Sequence, residues 1–235
     1  MNDKNSTYRY YDETYLEQNK NWHLEDSQWK ANQVLKIIKK NELVASSICE
    51  VGCGAGGILA HLSNMSPLKS VNFFGYEISP IAYRLCSSKS SKRLKFYLKD
   101  ILIEKVSYDL LLCIDVFEHV ENHMEFLKEV KPKAKYKIFH IPLDLSVSSV
   151  LRGSFLEARK TVGHLHYFTP DLALETLNDC GYEVVDSFLT PAFSAVPPKT
   201  FKERLTKIPR SLLFKLSPKL MSKLIGGASL LVLTK

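Results

Sequence analysis

The chain has 235 residues, 45% of them hydrophobic, and a formal net charge of +7. That length suffices for one sizeable core, and no internal repeat or low-complexity tract points to a second, so one globular domain with decorations is expected. The opening MNDKNSTYRYYDETY is too polar for a signal peptide, and no apolar run reaches the roughly 18–20 residues of a membrane-spanning helix, which predicts a cytoplasmic protein.

The charge is unevenly placed. Between Lys199 and Lys223 eight basic residues stand against one acid, Glu203, so this stretch accounts for the whole excess. The body of the chain is electrically balanced and holds no RNA- or DNA-binding motif, which disfavours a nucleic-acid partner. Five cysteines, Cys49, Cys53, Cys86, Cys113 and Cys180, form no CxxC pair. They read as reduced core residues, not as a disulfide frame or zinc site.

In chain order, an aromatic arm with Tyr8, Tyr10, Tyr11, Tyr15, Trp22 and His23 comes first, as a lid or a docked terminus. Residues 24–40, LEDSQWKANQVLKIIKK, place Trp29, Val34, Leu35 and Ile38 at helical spacing and gather lysines at the end, where the helix dipole favours them. Residues 1–45 are thus an arm and helix, and 46–235 the main domain.

From Ser47 onward, short apolar runs (SICEVG, VNFFGYEI, LKFYL, YDLLLCIDV, YKIFHI) alternate with helical stretches. Continuous apolar strands alternating with helices predict a doubly wound, Rossmann-like α/β domain whose mostly parallel sheet is covered on both faces. After Ile141 a long connection leads to a helix over 171–179, with Thr169 as N-cap, Pro170 in the first turn and Gly181 closing it. YEVVDSFL and SLLVLTK bring the sheet to seven strands.

Between those last two strands lies a basic insert, about 191–227, whose apolar residues recur every three or four positions. Pro209 and Pro218 are expected to cut it into short amphipathic helices. Capping the site with a solvated basic face is the preferred role; a dimer contact and peripheral docking on a lipid surface are the others.

The stretch SICEVGCGAGGIL sets Gly52, Gly54 and Gly57 as GxGxxG at the end of a strand, where a backbone must turn sharply and approach a ligand closely. Glu77 ends the second strand 20 residues after Gly57, as a ribose-binding acid would. On these residues alone NAD and S-adenosylmethionine are both open.

E-V-G-C-G-A-G, with Glu50 two places before the first glycine, resembles motif I of the class I S-adenosylmethionine-dependent methyltransferases. Glu77 resembles that family's ribose-binding acid, Asp100 its adenine-binding residue, and CIDVFEHVEN its fourth-strand motif. GHLHYFTPDLALETLNDCGYEVV resembles the segment after strand five in relatives of the ubiquinone-biosynthesis O-methyltransferases. The resemblance covers roughly Ser47 to Leu189. It implies an antiparallel C-terminal hairpin, S-adenosylmethionine as co-substrate, and a cofactor set of Glu50, Gly52, Cys53, Gly54, Glu77, Ile78, Asp100, Ile101, Asp115 and Val116. The chemistry agrees: the ligand is a sulfonium cation without phosphate, and the glycine loop holds no basic residue while carboxylates stand at the strand ends. The competing reading is a chance glycine turn in a Rossmann-like protein that binds something else.

Methyl transfer needs a base, and His119, His164 and His166 all fall on the carboxyl edge of the sheet. His164 and His166 alternate across Leu165, so in an extended segment both would face one side. His61 and His140 read as packing or surface residues, and His123 as solvated. Asp115, Glu118 and His119 form D-x-x-E-H, which resembles the E-x-x-E-H metal cluster of the quinone O-methyltransferases, with a shorter first arm; a divalent metal is the less favoured reading. The expected function is methyl transfer to a small-molecule acceptor, at oxygen. The alternatives are a membrane-associated lipid or quinone methyltransferase and an inactive cofactor-binding partner subunit; oligomeric state is open.

Overall fold

The computed structural model describes residues 19, 21, 22, 24–198 and 201–235. Tyr8, Tyr10, Tyr11, Tyr15 and His23 of the arm lie outside the described residues.

The strands are β1 (Ser47–Val51), β2 (Asn72–Glu77), β3 (Leu94–Leu98), β4 (Tyr108–Ile114), β5 (Ala134–Pro142), β6 (Val184–Thr190) and β7 (Ser229–Thr234). They form one sheet in the order β3-β2-β1-β4-β5-β7-β6. β1 to β5 run parallel, with Ile48 opposite Phe73 on one side and Leu110 on the other. β7 lies antiparallel between β5 and β6, the expected C-terminal hairpin. After β3 the chain crosses back to β4 on the far side of β1, so the carboxyl ends of β1 and β4 diverge into a crevice where such sheets bind ligands.

The helices are α1 (Leu24–Lys40), α2 (Gly57–Asn64), α3 (Pro80–Ser87), α4 (His123–Val130), α5 (Val147–Arg152), α6 (Ser154–Thr161), α7 (Pro170–Asp179), α8 (Phe201–Leu216) and α9 (Pro218–Leu224). They cover both faces of the sheet, which explains the apolar run in β4: Leu110 to Ile114 are all buried. On one face Ala31, Val34, Ile37 and Ile38 of α1 pack with Ile58, Leu59 and Leu62 of α2. On the other, Leu127 and Val130 of α4 and Leu177 of α7 pack with Phe117 and Phe139. Each fully buried Val, Leu, Ile or Phe among them contributes roughly 1.5–3 kcal/mol. All five cysteines are buried free thiols, and the Thr169 side chain caps α7 by accepting from the Leu172 N–H.

Two local expectations change. The connection after β5 is not a plain loop: Ser146 caps α5 by accepting from the Ser149 N–H, and α6, which buries no residue, follows. Helices this short carry too few turns for a legible apolar period. Pro209 does not divide the insert either; it sits inside the continuous α8. Its missing N–H falls on an exposed surface, where water serves the carbonyl that loses its partner. Pro218 does mark a boundary, opening α9 behind Ser217, whose side chain accepts from Leu220 N–H. Among the described residues no helix is long and apolar enough to cross a membrane.

Candidate active site

The turn from β1 to α2 is built for close approach. Gly52 and Gly54 have φ of +61° and +53°, and a Cβ on them would come within 3.0 Å of Val116 Cγ2 and 2.9 Å of Trp22 Cδ1. Any side chain there would be strained by backbone and neighbours alike. Gly57 lies against Ser27 of α1, where a Cβ would collide.

Glu77, at the end of β2, holds this turn in place. Its Oε2 accepts from the Gly54 N–H at 2.7 Å and its Oε1 from the Ser79 N–H at 2.8 Å. Burial raises its pKa, and these backbone donors pull the other way. Glu50, in β1, is 2% exposed, and its Oε2 has no hydrogen-bond partner among the described residues. Burial raises its pKa well above the usual carboxylate range, against the pull of Lys30. A buried acid with an idle oxygen is a group shaped to meet a cation. Asp100, on the loop after β3, is exposed and accepts from the Leu102 N–H at 2.9 Å.

Asp115, after β4, is the charged centre of the wall. Its φ is +54°. Its Oδ1 lies 2.6 Å from His140 Nδ1 and its Oδ2 2.8 Å from Lys30 Nζ; Lys30 also reaches Asp26 at 2.8 Å. Burial disfavours the Asp115 charge, yet His140 and Lys30 overcome it and hold the carboxyl below its ordinary range. Likewise burial disfavours the Lys30 charge, while Asp115 and Asp26 together raise its pKa. His140 Nε2 lies 3.2 Å from the Thr190 hydroxyl. His140 is thus no simple packing residue. From sequence His140 reads as a packing or surface residue, and Lys30 was not singled out; its nearest local partner is Asp26, four residues before it. Their only signal was position, a basic group facing the carboxyl ends of the strands.

A second cluster follows β4. Glu118 and His119 lie in the short turn Phe117–His119. His164 comes from the long connection, its Nδ1 2.5 Å from Asp144 Oδ2, and its ring is 4.8 Å from that of His119. Glu118 is 1% exposed, with neither carboxyl oxygen hydrogen-bonded among the described residues; burial and then Asp115 push its pKa well up. One ligand atom each from Glu118, His119 and His164 lie within 4.8 Å of one another, close enough to share a cation. The expected D-x-x-E-H set is therefore not the one brought together: both Asp115 oxygens are taken by His140 and Lys30, and His164 stands in its place.

His166 departs from its expected orientation. Its Nε2–H donates to the carbonyls of Val120 at 2.9 Å and Glu121 at 3.2 Å, which pins the connection to the β4 turn. Its ring lies 4.0 Å from that of His123. His123 is itself half-buried, not solvated, and burial followed by His166 lowers its pKa. The segment is anchored through the Glu118 carbonyl, which accepts from the N–H groups of both Leu165 and His166, so the two imidazoles diverge.

One cavity of about 600 Å³ connects these groups. Glu50, Gly52, Cys53, Gly54, Glu77, Ile78, Asp100, Ile101, Asp115 and Val116 line it, together with His119, His164, Lys30 and His140. Among the described residues, His166 and α8 do not line it, and the insert meets it at its ends, through Ala192 and Ala195 before α8 and Gly227 and Ala228 after α9.

A family model described as a methyltransferase domain matches residues 49–135. Two curated relatives, ubiquinone biosynthesis O-methyltransferases of Rickettsia bellii strains OSU 85-389 and RML369-C, are each 30% identical over 112 residues, 44% of this chain and 46% of theirs. The chain thus spans about half the length of the curated relatives it matches. Among solved structures, the magnesium protoporphyrin IX methyltransferase of Synechocystis PCC 6803, holding S-adenosylhomocysteine, superposes with a TM-score of 0.60 at 14% identity, over 92% of this chain and 86% of that one. A SAM-dependent methyltransferase of Thermotoga maritima gives 0.60 at 16% identity, over 95% and 97%. Identities this low speak for the fold. Residues 49–135 thus match a methyltransferase domain, and the sheet order and the glycine turn agree with the class I S-adenosylmethionine-dependent fold.

Proposed function

We propose that the protein transfers a methyl group from S-adenosylmethionine to an oxygen of a small-molecule acceptor. The observation that carries this reading is that one cavity joins a wall of bare glycines and carboxylates to a wall holding His119 and the Asp144-bound His164.

The first wall fits the co-substrate, a sulfonium cation with an amino-acid tail and no phosphate. Glu50 offers its idle oxygen to the positive end, Glu77 would hold the ribose hydroxyls and Asp100 the adenine amino group, while Cys53, Ile78, Ile101 and Val116 supply apolar surface. When bound, the co-substrate supplies an electrophilic methyl carbon. The protein's own part is to align the acceptor, exclude water and take its proton.

His164 suits the last task. The Asp144 carboxylate accepts from Nδ1–H, which fixes the tautomer and leaves Nε2 with its lone pair as a base. His119, ring against ring with His164, would orient the acceptor. A carboxylate-oriented base favours oxygen, because a phenol-like hydroxyl with pKa about 10 must lose its proton to become nucleophilic, whereas a neutral amine attacks without prior help. The R. bellii relatives are O-methyltransferases by name, which supports the same choice. The test supplies methyl-labelled co-substrate with panels of phenols, catechols and amines; transfer confined to hydroxyl acceptors supports the reading, and transfer to amines alone would overturn it.

A further inference from the structure

The charge excess lies on α8, α9 and the residues just before them, and these helices leave apolar side chains in solvent. Along α8, Leu205, Ile208, Leu212 and Leu216 recur every three or four residues on one stripe and are 58% to 82% exposed. On α9, Leu220 and Leu224 are 54% and 47% exposed. Neighbouring α5, packed against α9, leaves Leu151 81% exposed. Isolated exposed leucines are ordinary, but a continuous patch of this kind marks an interaction face.

The stripe is held outward by contacts on other sides of the helices. Phe214 of α8 stacks edge-on against Phe193 at 6.0 Å, and the Lys207 Nζ donates to the Val196 carbonyl at 3.3 Å. On α9, Met221 is buried, and Lys219 and Lys223 both pair with Asp171 at the start of α7. Arg204 and Lys215, exposed, flank the stripe.

We propose that this face docks on an anionic lipid bilayer, with the leucine stripe at the boundary of head groups and acyl chains and the flanking cations on lipid phosphates. Charge decides the occupant. A second copy of the chain would bring two strongly basic inserts together, which repel, whereas an anionic surface complements them. The ends of the insert border the cavity through Ala192 and Gly227, so docking and the cavity rim share one element. This inference does not depend on the reaction assigned above.

The experiment is flotation of the full chain with phosphatidylcholine vesicles, with and without phosphatidylglycerol, at low and high salt. The expected result is binding to the anionic vesicles alone, weakened by salt. Leu212→Gln/Leu216→Gln should abolish it with the charge intact, and Arg204→Glu/Lys215→Glu should weaken it roughly fivefold or more for each residue changed. Retained affinity for S-adenosylhomocysteine or, should that ligand not bind the native chain, an unchanged melting transition shows that the variants fold. Failure of the native chain to float with anionic vesicles at low salt overturns the proposal. So does a stable dimer in solution that Leu212→Gln/Leu216→Gln dissociates, since a second copy would then cover the face.

Discussion

Lys30 of the N-terminal helix and Asp115 at the end of β4 form a 2.8 Å ion pair in the cavity wall. The pair ties a helix outside the sheet to the point where the strand order reverses, and it balances a wall otherwise made of acids. The pair is half-buried, and Asp115 keeps His140 when Lys30 is removed, so the loss falls below that of a fully buried pair. Lys30→Met is therefore expected to destabilise the fold by about 1–3 kcal/mol in urea unfolding, and Lys30→Met/Asp115→Asn by less than the sum of the single changes. Additive losses would show that the two residues act separately.

Glu50 gives a pH dependence with a defined sign. Its folded-state pKa is raised by burial, and its unfolded value is about 4.3. The native chain thus binds the extra proton, so the stability Glu50 contributes is present below about pH 4 and is lost as pH rises through the raised value. Glu50→Gln should stabilise the ligand-free protein at neutral pH by on the order of 1 kcal/mol, or about 2–4 °C. The same change should weaken S-adenosylhomocysteine binding and remove its pH slope, because the native carboxyl must release its proton to meet the ligand's ammonium. Affinity that falls as pH rises would contradict this.

In the proposed mechanism the Asp144–His164 pair is a base and its orienter. His164→Ala should lower kcat by about 10²–10⁴ while leaving S-adenosylhomocysteine affinity unchanged. Asp144→Asn, which keeps the shape, should lower kcat with little change in KM. A change confined to KM would reduce both residues to acceptor packing.

In the proposed mechanism His164 Nε2 is a base, and a nitrogen bound to a metal cannot also take a proton. Exhaustive chelation should therefore leave kcat unchanged, and Glu118→Gln should leave turnover within about threefold, in keeping with a surrogate of similar shape. Loss of activity on chelation, restored by Mg²⁺ or Mn²⁺, would assign Glu118, His119 and His164 to a cation instead.

The sheet was legible because its signal is redundant: β1, β2 and β4 are apolar over most of their length, and Gly52, Gly54 and Glu77 fall at strand ends where chain order alone places them. The Thr169 cap was legible for a similar local reason. What sequence could not supply was partnership at a distance. Lys30 and Asp115 are far apart in the chain, as are Asp115 and His140, and a local pattern offers Lys30 a nearer partner in Asp26. The divergence of His164 from His166 likewise depends on the Glu118 carbonyl capturing the backbone between them. Pro209 misled because a helix tolerates proline where water can serve the freed carbonyl.

Calorimetric titration of the native chain with S-adenosylhomocysteine and, separately, with NADH tests the account most directly. S-adenosylhomocysteine should bind and NADH should not, with binding weakened in Glu77→Ala, which loses both the carboxylate proposed to hold the ribose and the anchor of the Gly54 turn. Binding of NADH, or of neither ligand, would contradict the assignment of the cavity.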